Sequence, residues 1–472
     1  MDKLYLISKR KFKSFKNTIK TNDIYLHYND LQVTHFFNEN SKIIILGHAV
    51  HCKKVDLNLI DICKEMAEMS TLNEVIGYSD YLVGRYIIIR SYGNSTQILP
   101  DATCTIPVNF YFDEQDMYIS STTHLIGKLT NMSLSEESLE IKSKAEEQHP
   151  LPYNITMYNK VKTLIPNHLL NVDEMEMFRY YPNEKQVEKS FDFVLDETIN
   201  VMDDIIERFV KEYKFSLPIT SGLDSRLLLA LMKDHVSDIP LYTFYDKGDE
   251  ENWDLVVPKR MAEKLNLEHH AIERIPIEKT ALNKLTKILD YQQNERILEN
   301  GFSLSESPLS HRQFLAGDII PIVKSNFGKN YSEKLATLFY LNTKTHNYSK
   351  NNKKHIKKWI KDAENDYDVS KFDLFFWEYR FGRWLPNNAN NYDVFSNPFY
   401  IFNCRYLIKL WISISREERT SRSFHKEIIE KKWPELLEFP FNPGNKLGSI
   451  FSKNQYSYYL ASLAKYNINR FR

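Results

Sequence analysis

A chain of 472 residues in which 62 Lys+Arg balance 62 Asp+Glu has no formal net charge. That excludes a protein built to coat nucleic acid or a membrane surface, which needs a basic excess. Hydrophobic residues at 42% and charged residues at 26% describe an ordinary globular chain, too long for one core, so two or three domains are expected.

No apolar run approaches the roughly 18 residues of a membrane span, and the first ten residues lack the apolar core of a signal peptide. Cys52, Cys63, Cys104 and Cys404 are scattered with no CxxC, which supports neither a disulfide framework nor a zinc ribbon. A cytoplasmic location is expected.

The first 185 residues have a β-rich texture. Residues 42–48 and 81–89 are dense in Ile, Leu and Val and read as buried strands, the first ending at Gly47. Residues 108–112 and 117–120 read as a hairpin turning at Asp113-Glu114-Gln115-Asp116. His48, His51 and Cys52 form a short cluster with no second ligand pair nearby, so they read as structural side chains rather than a metal site.

Residues 189–213 carry apolar positions at helical spacing and lead into the stretch that most constrains the chemistry, Phe215 to Met232. It starts as a short apolar run, breaks at Thr220-Ser221-Gly222, and resumes as leucines at helical density: strand, tight loop, helix. Such a loop points backbone N–H groups outward at the positive end of the helix dipole, a cradle for phosphate or pyrophosphate. Asp224 suits a Mg²⁺ ligand, since N–H donors alone do not neutralise a polyphosphate. A plainer reading, Asp and Ser capping a βα turn, also fits the string.

Residues 240–245 read as a second strand, a helix follows from Trp253 to about Leu265, and residues 318–323 read as a third strand. This alternation is that of a parallel sheet with right-handed crossovers, which binds ligands at the carboxyl ends of its strands. Lys350, Lys353, Lys354, Lys357, Lys358 and Lys361 read as a solvated helix face. Residues 376–384 mix charge and aromatic rings on a predicted helix.

Thr220-Ser221-Gly222-Leu223-Asp224-Ser225 resembles the SGGxDS pyrophosphate loop of the PP-loop ATP pyrophosphatases, in their asparagine-synthetase-like branch. Thr220 stands for the first Ser, Ser221 replaces the first Gly, and Gly222, Asp224 and Ser225 match directly. Upstream, residues 82–86 are similar to the L-x-G-x-F strand of the glutaminase domain that precedes such synthetases. Asp101 sits at that domain's D-x-x-G turn with Cys104 in place of the Gly, and Pro107 matches the Pro opening the next strand. Residues 161–168 resemble V-x-x-L-x-P-G-H, and Arg179-Tyr180-Tyr181-Pro182 resembles R-Y-W-x-P.

The resemblance implies an α/β fold: an Ntn-type αββα sandwich over residues 1–185, then a parallel-sheet PP-loop domain with a helical extension over residues 186–472. It implies ATP and Mg²⁺, with Thr220, Ser221, Gly222, Leu223, Asp224 and Ser225 on the pyrophosphate. Thr243 and Phe244 fall where the family meets the adenine, with Asp254 assisting there or capping its helix. By position, residues 324–331 resemble the S-G-x-G-x-D-E loop. Gly328 then takes the second Gly, Asn330 the usual metal-binding Asp, and Phe327 a position that is Glu or Tyr in some relatives. Asn397-Pro398-Phe399 resembles V-P-F-L-D, and Lys446 lies where the family carries a Lys beside the pyrophosphate. Glu378 is a candidate to orient or deprotonate an attacking amine, and Lys446 to stabilise α-phosphate charge. The alternatives are a buried ion pair of Glu378 with Arg380 or Arg383, and a solvated loop lysine.

Glutaminases of this class use a first-residue Cys activated by its own α-amino group. This chain opens Met1-Asp2-Lys3 and its first cysteine is Cys52, so the N-terminal domain is expected to be a scaffold that does not hydrolyse glutamine. The expected reaction is ATP-dependent, AMP- and pyrophosphate-forming amide synthesis through an acyl-adenylate. Its substrate would be a small molecule or peptide with a carboxylate, and its nitrogen source ammonia or a substrate amine. Asn330 and Phe327 motivate the alternative of a catalytically impaired nucleotide-binding or scaffold protein. A PP-loop tRNA-modifying enzyme is disfavoured by the zero net charge and the lack of a cysteine pair. No nucleic-acid or membrane partner is expected, and a homodimer is left open.

Overall fold

Along the strand Ser41–His51, Ile43 and Ile45 point one way while Ile44 and Leu46 point the other, and all four are buried. Strand side chains alternate between faces, so a run with both sets buried must lie in a sheet covered on both sides. The computed structural model, which describes residues 4–146, 149–329, 331–364 and 367–441 with Leu460, Leu463 and Ala464, has that arrangement. Two six-stranded sheets, antiparallel throughout, build the first half.

One face of each sheet meets the other through Tyr5, Ile7, Ile44, Leu46, Ile87, Ile89, Val108 and Ile119. The outer face of one is covered by helices Leu59–Ala67 and Leu72–Ser79, through Ile43, Ile45, Ile62, Met66, Val75 and Ile88. The outer face of the other is covered by helices Thr123–Thr130 and Glu136–Ser143, through Leu6, Tyr118, Ile126 and Ile141. The layering is αββα. The hairpin strands are Asn109–Phe112 and Met117–Ser120. His48 stacks on Phe399 at 4.6 Å, His51 packs against Tyr78 and Tyr81, and Cys52 is buried, so the His/Cys cluster is part of the packing.

The second half opens with helix Phe191–Glu212, capped by the Ser190 side chain. It buries one stripe (Val194, Leu195, Val201, Met202, Ile205, Ile206, Phe209) at helical spacing. A five-stranded sheet follows, wholly parallel, in the spatial order His269–Glu273, Leu241–Tyr245, Phe215–Pro218, Gln313–Leu315, Pro398–Phe399. Strand order reverses around Phe215–Pro218, so the loops leaving it and leaving Gln313–Leu315 diverge at the carboxyl edge and open a crevice.

Two sequence expectations change here. Residues 318–323 are not a strand: the strand is Gln313–Leu315, and Ile320–Lys324 is a 3₁₀ helix. Pro321 lacks the N–H a sheet ladder needs and sits in the first turn of that helix, where the missing donor costs nothing. The segment from Phe376 to Trp384 is a π-helix, running between helices Lys371–Phe375 and Leu385–Tyr392. The lysines of helix Lys350–Asp362 lie off its buried stripe of Asn352, His355, Ile356 and Trp359.

The halves meet over a polar and apolar seam. Arg85 clamps Asp393 with two hydrogen bonds of 2.9 and 2.8 Å. Trp377 Nε1 donates to Ala102 O at 2.7 Å, Asn403 Nδ2 to Gly84 O at 2.6 Å, and Arg383 to Leu151 O and Ile155 O at 3.0 and 2.8 Å. Gly382 touches Pro166 so closely that an added Cβ would lie 2.2 Å from Pro166 Cδ. Among the described residues no helix is long and apolar enough to cross a membrane.

Candidate active site

A cavity of about 750 Å³ occupies the crevice at the carboxyl edge of the parallel sheet. Its walls include Thr220, Asp224 and Ser225 from the first loop and Thr243 and Phe244 from the second strand. Ala316, Gly317 and Asp318 come from the loop after Gln313–Leu315, and Phe376, Arg380, Phe381 and Trp384 from the π-helix.

The loop is tied by its own hydroxyls. Thr220 N donates to Ser225 Oγ at 3.1 Å, and Gly222 N donates to Thr220 Oγ1 at 3.1 Å. From outside, Asp254 accepts from Ser221 N at 3.0 Å and from Ser221 Oγ at 2.5 Å. The capping role considered for Asp254 belongs to Asn252, whose side chain accepts from Asp254 N at 2.9 Å. Beneath the loop, the fully buried Arg226 donates to Ser221 O at 3.1 Å and to Phe439 O at 2.8 Å, and also to Pro440 O. Ser221, Gly222 and Leu223 are thus held behind the cavity wall, while Thr220, Asp224 and Ser225 form it.

Helix Leu223–Leu231 starts at Gly222 with no side chain capping it. Most other helices here carry a cap, such as Thr71, Thr122, Ser190, Asn252 and Asn294. The first-turn N–H groups therefore keep their donor capacity at the positive end of the dipole.

Asp224 Oδ1 sits 2.6 Å from Lys324 Nζ and 2.7 Å from His425 Nε2. Burial on its own raises the Asp224 carboxyl, but His425 and Lys324 outweigh it and hold the group at about 2. Across the cavity, Asp318 is open to the cavity yet ringed by protein, and this enclosure pushes its carboxyl up to about 6. Arg380 lowers it and Asp224 raises it. Thr243 Oγ1 donates to Ile219 O at 2.7 Å and lies 3.0 Å from His269 Nε2, fixing the second strand to the loop. Burial, with His270 and Lys259 nearby, lowers His269 to about 4.

Glu378 does not reach this cavity, and the expectation of a catalytic base there is corrected. Its side chain is buried and accepts from Arg179 at 2.6 and 2.8 Å, from Asn167 Nδ2 at 2.7 Å and from Trp359 Nε1 at 2.7 Å. The partner is Arg179, not Arg380 or Arg383, and Asp362 and His168 complete the cluster. These acids and histidine have metal-ligand types within reach of each other, but the guanidinium of Arg179 already supplies the cation. Gly328 packs on Phe372, with its added Cβ 2.6 Å from that ring, and is not part of the wall. Phe327 meets Phe376 edge-on at 4.8 Å. Asn330 and Lys446 lie outside the described residues.

Sequence reading missed Asp318, Arg380, Lys324 and His425. Only Asp318 left a signal, the apolar trio Phe314-Leu315-Ala316 breaking at Gly317-Asp318. That pattern repeats, in short form, the break at Thr220-Ser221-Gly222.

No family model matches the chain, and no curated protein matches it. Solved structures similar to it include NMN synthetase from Francisella tularensis, at 12% identity and a TM-score of 0.19, spanning 38% of this chain and 75% of that one. The allosteric regulatory enzyme of purine biosynthesis is similar at 10% identity and a TM-score of 0.25, over 59% and 60% of the two chains. Glutamine-dependent NAD+ synthetase from Acinetobacter baumannii, in complex with ADP, is similar at 11% identity and a TM-score of 0.20, over 41% and 45%. Likenesses this weak carry no functional conclusion, which rests on the residues of the cavity.

Proposed function

We propose that the chain is an ATP-dependent ligase that forms an amide bond through an acyl-adenylate, releasing AMP and pyrophosphate. The observation that carries this reading is the uncapped start of helix Leu223–Leu231, opening at the sheet's carboxyl edge into a cavity of about 750 Å³. That volume lies in the range of ligand sites and leaves room for a second substrate beside a nucleotide.

The donors fit the chemistry. First-turn amides with the Thr220 and Ser225 hydroxyls receive the pyrophosphate as it leaves. Thr243 and Phe244 line the wall where the nucleoside lies. Asp224 is a hard oxygen donor of the type Mg²⁺ prefers, and would hold it; when bound, the ion supplies positive charge to the phosphates. A substrate carboxylate oxygen attacks the α-phosphorus, and the bond to the β-phosphate oxygen breaks. An amine then attacks the acyl carbon, AMP leaves, and Asp318, ionised at neutral pH, accepts the proton that nitrogen releases. All four cysteines are buried, and burial raises the thiols of Cys63 and Cys104, so no thiol among the described residues is poised to hydrolyse glutamine. Ammonia or a substrate amine is the nitrogen source.

A second reading, nucleotide binding without turnover, is favoured by one observation. Lys324 and His425 both occupy Asp224 Oδ1, an oxygen a metal ion would take. Carboxylate-dependent release of pyrophosphate and AMP in equal amounts, with hydroxamate formed on adding hydroxylamine, is the result expected of the ligase. Calorimetric binding of Mg-ATP without release of pyrophosphate with any carboxylate would favour the second reading instead.

A further inference from the structure

We propose that Arg380 holds a second anionic group of the acyl substrate, a carboxylate or phosphate carried beside the carboxylate that is activated. The activated carboxylate rests on the ligase reading above; the anion site at Arg380 does not.

The first ground is the backbone. Arg380 lies within the π-helix Phe376–Trp384, nine residues long, where such helices are rare and mostly confined to single turns at functional sites. Phe376, Arg380 and Trp384, spaced four apart along it, fall on one wall of the cavity together with Phe381.

The second ground is charge. The Arg380 guanidinium sits over the Trp384 ring, its carbon 3.6 Å from the centroid. Among the described residues it makes no hydrogen bond and no ion pair. The cavity's other arginines are matched: Arg296 grips Asp246 at 2.7 and 2.9 Å, and Arg274 reaches Asp246 at 3.1 Å and Asn300 at 2.7 Å. Asp318 acts on this cation through space without bonding to it, so the guanidinium N–H groups are left to a ligand anion. The planar fork of an arginine fits carboxylate and phosphate oxygens two at a time.

The third ground is position. Arg380 shares its wall with the rings of Phe376, Phe381 and Trp384, whereas Thr220 and Ser225 belong to the loop whose amides and hydroxyls suit the phosphates. The group that reaches Arg380 then belongs to the other substrate, whose carbon skeleton those rings cover.

The test uses the full chain, its Arg380→Gln and Arg380→Lys variants, and four probes: glutarate, monomethyl glutarate, 3-phosphopropionate and butyrate. Direct binding is measured by calorimetry, and carboxylate-dependent pyrophosphate release is measured alongside. The di-anions are expected to bind the wild type about 10- to 100-fold more tightly than the matched mono-anions, the range of charged hydrogen bonds. Arg380→Gln should erase that preference, Arg380→Lys should keep part of it, and both should hold the ATP affinity within about twofold. Glutarate and 3-phosphopropionate tell a carboxylate from a phosphate. Loss of ATP affinity in Arg380→Gln, or no di-anion preference in the wild type, overturns the proposal. If no carboxylate supports pyrophosphate release, the ligase reading falls alone, and di-anion binding still decides the role of Arg380.

Discussion

Asp224 and Asp318 face one cavity with opposite titration behaviour, and each makes a distinct prediction. The Asp318 carboxyl, near 6 in the fold, lies well above the roughly 3.9 of an unfolded chain. As a base it works only when ionised, so the rate of the amine-capture step should rise with pH through an inflexion near 6. Asp318→Asn should flatten that profile and lower the rate by about 10²-fold or more; an unchanged profile would remove Asp318 from the chemistry. The same shift has a stability sign. Between about pH 3.9 and 6 the folded state holds a proton that the unfolded state has released, so this group costs stability as pH rises through that window. Urea midpoints of Asp318→Asn should fall less across it than those of the wild type.

Asp224 is the reverse. Held at about 2, it adds stability that is present above the unfolded value and lost as pH falls through 2. Asp224→Asn should leave Lys324 and His425 without their shared anion and weaken pyrophosphate release by about 10²-fold. Pyrophosphate release within twofold of wild type would show that this carboxylate is dispensable.

At the scale of elements, local pattern was readable and distant pairing was not. The strand–loop–helix at Phe215–Leu231 announces itself because small residues break two apolar runs of different period. The hairpin at Asn109–Ser120 was legible for a similar reason, since Asp113 and its neighbours can only turn. Strand Gln313–Leu315 has three residues, too few to display alternation, and the apolar run after Asp318 drew the strand downstream, pulling Gly328 and Asn330 into the site. Glu378 was misread because Arg179 stands 199 positions away, and nothing local to Phe376–Trp384 shows which cation it meets.

The burial of that pair is the basis of another prediction. Glu378→Gln strips the charge from one side of it and should cost about 3–5 kcal/mol of unfolding free energy. Mg-ATP affinity should stay unchanged. A stable variant that binds normally but no longer turns over would return Glu378 to the catalytic list. On the same π-helix, Gly382→Ala drives a methyl into Pro166 and should cost about 1–3 kcal/mol, read as a lowered denaturant midpoint with the slope preserved.

For the whole molecule, the αββα half and the parallel-sheet half share buried polar contacts that neither satisfies alone. Trp377, Arg383 and Asn403 donate to backbone carbonyls of the first half, and Asp393 accepts from Arg85. Separating the halves leaves those groups unpaired, each at a cost of about 1–3 kcal/mol. The intact chain is therefore expected to unfold in one calorimetric transition. Residues 186–472 expressed alone should aggregate or fail to unfold cooperatively, as judged by size-exclusion chromatography and thermal melts. A soluble monomeric fragment melting like the intact chain would contradict this.

The contact of Gly382 with Pro166, beside the hydrogen bond from Trp377 to Ala102, has a consequence for how such a chain can change over generations. The wall that presents Arg380 to the cavity leans on a module that offers the cavity no side chain of its own. Deleting that module would tilt the floor under the ligand, although none of its side chains meets the ligand. Its contribution to the cavity is support alone.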